Sequence, residues 1–159
     1  MNVESDLHTW TAGERRNVLG LADVFGVSPE AYLAESAHLV PTLQDYVSRA
    51  PVKEFEQSDW ITPHADLMSY VADYVIRKHG AWWTVADDPT APRGYRYVVK
   101  AVGRDGWTRQ FDPLRAVARE VADLPIEITR ILADAELTLG LVARVRPAPQ
   151  SPNRPTTTR

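Results

Sequence analysis

Residues 60–85 read W-I-T-P-H-A-D-L-M-S-Y-V-A-D-Y-V-I-R-K-H-G-A-W-W-T-V, and residues 86–113 continue A-D-D-P-T-A-P-R-G-Y-R-Y-V-V-K-A-V-G-R-D-G-W-T-R-Q-F-D-P. Leu67, Tyr70, Val71, Tyr74 and Val75 fall at i, i+3, i+4, i+7 and i+8, the stripe of an amphipathic helix. Thr62-Pro63 reads as its start. Arg77, Lys78 and His79 fill its last turn, where positive charge suits the dipole, and Gly80 stops it. Trp82 to Val85 is aromatic and β-branched, hence a strand. Tyr95 to Val102 is a second strand, with Tyr95, Tyr97 and Val99 on one face and Arg96, Val98 and Lys100 on the other. Gly103 to Gly106 turns the chain into a third strand, Trp107 to Phe111. Asp112-Pro113 then opens a helix by the usual cap-plus-proline start.

Working outward, Thr11 and Glu14 have the spacing of a capping box, which predicts a first helix from Ala12. Val18, Leu19, Ala22 and Phe25 share its inner face, and Gly26 ends it. Ser28-Pro29-Glu30 starts a second helix. Its apolar stripe runs on through Leu39, Leu43 and Val47, divided at Pro41. Residues 50–59 break the pattern and read as a loop. After Pro113, Leu114, Val117, Ala118 and Val121 form the expected buried stripe. Leu124-Pro125 interrupts it, and Ile128, Ile131, Leu132, Ala135 and Leu139 mark a last helix. The expected fold class is α+β: N-terminal helices, a central amphipathic helix packed on a three-stranded antiparallel meander, and two C-terminal helices. One domain is expected over residues 11–140. Residues 1–10 read as a loosely ordered N-terminus, and residues 146–159, rich in Pro, Thr and Arg, as a disordered tail.

The chain has 159 residues, a net charge of −3 and no cysteine. That length holds one ordinary core. The missing thiols exclude a disulfide scaffold, thiolate metal ligation and cysteine nucleophiles. No apolar run has the length of a membrane span, and residues 1–10 lack the pattern of a secretory signal, so the reading is a cytoplasmic protein with no membrane partner. Basic side chains are nearly all arginine, the lysines being Lys53, Lys78 and Lys100. That bias is one of codon usage and suggests a GC-rich, actinobacterial genome.

Chemistry is not legible in the pattern. His8, His38, His64 and His79 never fall at i, i+3 or i+4 from one another, so no metal site is nominated. Asp87-Asp88 precedes Pro89 and reads as turn chemistry. There is no G-x-S-x-G, no P-loop and no G-x-G-x-x-G, so no catalytic residue and no cofactor is nominated. The sharpest feature is Trp82-Trp83. Adjacent strand residues point to opposite faces, so one indole faces the core and the other faces solvent or a partner, unless the N-terminal segment covers the second face. Tyr95, Tyr97 and Trp107 extend that aromatic set, with Arg93, Arg96 and Arg109 at its rim. Such a mixture also suits single-stranded nucleic acid, but the acidic chain and the absence of RNP patterns rank that lower.

Two resemblances add expectations. Leu21 to Leu33, L-A-D-V-F-G-V-S-P-E-A-Y-L, resembles the last part of phage-repressor-type helix-turn-helix domains. It implies either generic helix–turn–helix packing or a truncated helix-turn-helix DNA-binding regulator, its recognition helix lying upstream. Residues 15–122 are similar in layout to small actinobacterial α+β proteins of unknown function, through Val75-Ile76-Arg77, Gly80-Ala81-Trp82-Trp83 and Asp112-Pro113. That resemblance implies a fold and no catalytic residues. The first functional expectation is therefore a non-catalytic protein-interaction module, adaptor- or immunity-like, that meets a protein partner or a second copy through the sheet aromatics. The alternatives are the truncated regulator, and a small-ligand binder or enzyme with a pocket near the strand tryptophans.

Overall fold

A computed structural model describes residues 2–143; the tail read over residues 146–159 lies outside them. Six α-helices and three strands follow in the order α1 (Val3–Val24), α2 (Pro29–Ala34), α3 (Val40–Arg49), α4 (Ile61–His79), β1 (Trp82–Asp87), β2 (Tyr95–Val102), β3 (Thr108–Phe111), α5 (Pro113–Ala122) and α6 (Ile128–Thr138). The arrangement is α+β, with α4 packed on a three-stranded antiparallel sheet and the remaining helices around it. No helix among the described residues is long and apolar enough to cross a membrane.

Helix α4 is the axis of the core because it is apolar almost all round. Leu67, Met68, Tyr70, Val71, Ala72, Tyr74 and Val75 are all buried. Such a helix needs neighbours on several sides. It finds α1 on one flank, α5 and α6 on another, and the sheet beneath. Gly80 ends it at φ +69°, the left-handed conformation that closes a helix with little strain only at glycine. The β1–β2 register sets Trp83 opposite Val99 and Trp82 opposite Lys100, and β2–β3 sets Val99 opposite Phe111. Trp83, Val99, Ala101 and Phe111 therefore share the inner face and join the helices in one continuous apolar core.

Four local readings are corrected. Helix α1 begins at Val3, not Ala12: Asn2 accepts from Ser5 N at 2.8 Å and caps it. Thr11 and Glu14 are no capping box; Thr11 Oγ1 donates to Leu7 O within the helix, and Glu14 reaches across to Ser69. Residues 1–10 were expected to be loose because nothing local holds them. Asp6 and Trp10 instead find partners on the sheet, far away in sequence. Thr62-Pro63 does not start α4. A short turn over Gln57–Trp60 leads directly into it, with Asp59 Oδ2 accepting from Glu56 N at 2.9 Å. On α5 the buried side is Pro113, Ala116, Val117 and Glu120, whereas Leu114 and Ala118 are exposed. The phase shifts because buried Glu120 is satisfied there, by Arg130 and by the N–H of Glu127.

Candidate functional site

The eight side chains singled out from the sequence divide between three places. Trp83, Arg93, Tyr95 and Tyr97 form the dock of α1. Trp10 stacks on Tyr97 at 3.9 Å between ring centroids and meets Trp83 edge-on at 5.5 Å. Asp6, buried, accepts hydrogen bonds from Arg93 Nη1, from the Tyr95 hydroxyl and, at 2.6 Å, from the Tyr97 hydroxyl. The Arg93 guanidinium and the two phenols hold the Asp6 carboxyl well below the usual carboxylate range. These four residues are thus engaged by the chain's own first helix. A protein partner would have to displace α1 to reach Trp83, which is 7% exposed, whereas Arg93 stands at the exposed rim of the dock.

Trp82 and Trp107 lie elsewhere. Trp82 sits on the opposite sheet face and is 42% exposed, against 7% for Trp83. The N-terminal segment does not cover this face, because α1 packs with the other helices on the inner side. Val98, on this face, is fully buried although it lies outside the continuous apolar core, so the exposed part of the face is its Trp82–Val102 end. Val102 is 53% exposed and Trp107 72% exposed. The register brings Trp82, Val102 and Trp107 to one end of the sheet: Trp82 pairs with Lys100 and Val102 with Thr108 on the outer face, while Trp107, one residue before Thr108 and opposite Gly103, is out of phase with them beside the turn. Arg96 and Arg109 are tied down. Arg96 Nε donates to Asp112 at 3.0 Å, and Arg109 forks onto Asp105 at 2.8 and 2.5 Å beside the C-terminal end of α6.

A third feature was not foreseen. Between α1 and α4 lies a groove of about 300 Å³, walled by Ile76 and Trp83 and lined by Glu14, Arg15, Asp73 and Arg77. Asp73 accepts from the Tyr32 hydroxyl and from Arg77 Nε at 2.5 Å. The two terminal nitrogens of Arg77 make no hydrogen bond among the described residues, although only 20% of that side chain is exposed. Arg15 forms no ion pair among the described residues either. Burial raises the Glu14 carboxyl, and likewise that of Asp66 nearby. Local pattern explained each residue differently: Glu14 as a cap and Arg77 as dipole compensation. No sequence signal joins Glu14 to Ser69, 55 positions further on.

A larger cleft of about 630 Å³ opens between the segments 50–54 and 124–127. Its polar centre, Gln44, is engaged: it donates to Ile126 O and to Ser48 Oγ and accepts from Ile128 N. It ties α3 to the segment entering α6, and both of its N–H donors are used. Among the described residues no three His, Cys, Asp or Glu side chains group as metal ligands would. Compared with known proteins, the chain matches no family model, no curated protein and no solved structure at a significant level.

Proposed function

We propose that the chain is a non-catalytic protein-interaction module, and that its contact surface is the end of the sheet that carries Trp82, Val102 and Trp107. One observation carries this reading. Two tryptophans and a valine stand exposed at one end of the sheet, Trp82 and Val102 on its outer face and Trp107 beside the hairpin turn. Exposed indoles are expensive in water and are the side chains most often found as energetic anchors of protein contacts. Lys100 and Gln110, in the same cross-strand row as Trp82, supply a polar border. An adaptor- or immunity-like role, with a protein or a second copy as partner, fits such a patch. Trp83, Tyr95 and Tyr97 are left out of the contact surface, since α1 already occupies them.

The test uses the double variant Trp82→Ser, Trp107→Ser. Its melting temperature should match that of the parent chain. Self-association in sedimentation velocity, or quantified co-purification of a specific protein, should be present for the parent and lost for the variant. Identical behaviour of the two chains in both measurements contradicts the proposal.

A further inference from the structure

The groove between α1 and α4 has a hydrogen-bond conflict that says what it carries. Ser69, almost fully buried, has one hydroxyl proton. Its oxygen stands within hydrogen-bonding distance of two acceptors, Glu14 Oε2 and, at 2.9 Å, Ala65 O. It also receives Asn17 Nδ2 at 2.9 Å. One proton cannot serve both acceptors. A protonated Glu14 removes the conflict: its O–H donates to Ser69 Oγ, Ser69 donates to Ala65 O, and each oxygen is satisfied. Its half-buried position points the same way.

With Glu14 neutral, the lining carries two guanidiniums, Arg15 and Arg77, against one ionised carboxylate, Asp73. Arg77 is held by Asp73 through Nε alone, which leaves its terminal fork without a protein acceptor. A guanidinium fork fixed by packing and unfilled is matched to a carboxylate. Its orientation is set by contact with the Tyr32 ring, 5.5 Å away. The single excess positive charge suits a monoanion. Ile76 and Trp83 offer an apolar wall, which suits an organic body over an inorganic ion. We infer that this groove binds a small organic monocarboxylate, held by Arg77 and Arg15 with its apolar body against Ile76 and Trp83. The site is separate from the sheet end that carries Trp82 and Trp107 and does not depend on the role proposed for it.

The experiment is calorimetric titration of the full chain with benzoate, and with inorganic phosphate and tetramethylammonium as counter-probes. Benzoate should bind saturably in the millimolar range or tighter. Arg15→Gln, on an exposed position, should weaken it by about tenfold or more while the melting temperature without benzoate stays that of the parent. Glu14→Gln, which keeps a neutral donor, should retain it. Trp82→Ser, Trp107→Ser should leave it unchanged, which separates this site from the sheet face. Absence of saturable benzoate binding, or binding indifferent to Arg15→Gln, overturns the inference. So does tighter binding of phosphate, or preference for the cation.

Discussion

Trp82 and Trp83 are neighbours in the chain and strangers in the fold. The strand's period of two sends one indole outward and the other against Trp10 and the core. Their substitutions should therefore differ sharply. Trp83→Ala leaves a cavity under α1 and should cost about 3–5 kcal/mol in denaturant unfolding. Trp82→Ala should fall within about 0.5 kcal/mol of the parent. Equal losses would contradict the assignment of faces. Glu14 makes a second prediction at this scale. Its carboxyl is raised above an ordinary value of 4.5 in the folded chain. As pH rises through that value, the unfolded chain releases its proton while the folded chain keeps it, so Glu14 lowers stability progressively. Glu14→Gln should thus be more stable than the parent near pH 7, with the gap closing as pH falls below 4.5. Melting curves across that range read the difference directly.

At the scale of elements, α4 and α1 show two ways of being held. Helix α4 is held by its own sequence: an apolar stripe, basic residues in the last turn and a left-handed glycine. Gly80 has open space where a Cβ would go, so Gly80→Ala meets no clash and should lose only the backbone cost, about 1–2 kcal/mol in denaturant unfolding. Helix α1 is held from a distance by Asp6. That carboxyl is depressed in the folded chain, so its contribution is present above the ordinary value of 3.8 and is lost as pH falls below it. Asp6→Asn should be less stable than the parent at pH 7, and the two should converge in acid. Limited proteolysis at neutral pH should cut the variant first within residues 2–10. This contrast explains what was legible. The span of β2, the starts of α2 and α6, the stop at Gly80 and the cap at Asp112 rest on neighbours in sequence, and local reading finds them. The true start of α1, the inner side of α5 and the groove of Glu14 and Arg77 rest on tertiary partners, and no periodicity carries those. The tryptophan pair lies between the two cases: its alternation was readable, while which indole faced outward depended on where α1 lay.

Over the whole molecule, one face of the sheet carries nearly all the packing, and the N-terminal helix completes it. Removing residues 2–10 should uncover Trp83 and Tyr97, raise binding of an environment-sensitive dye and lower the melting temperature. An unchanged dye signal would show that the aromatic dock closes without its helix. The dock also has a consequence in time. Asp6 and Tyr97 are separated by 91 positions. At elongation rates of about 5–20 residues per second, the first helix waits several seconds or more outside the ribosome before its phenol and arginine partners exist. For that interval Leu7 and Trp10 present an unshielded amphipathic helix to whatever is near. Nascent chains arrested before residue 93 should accordingly be bound by a general chaperone, and release should come once the hairpin has emerged.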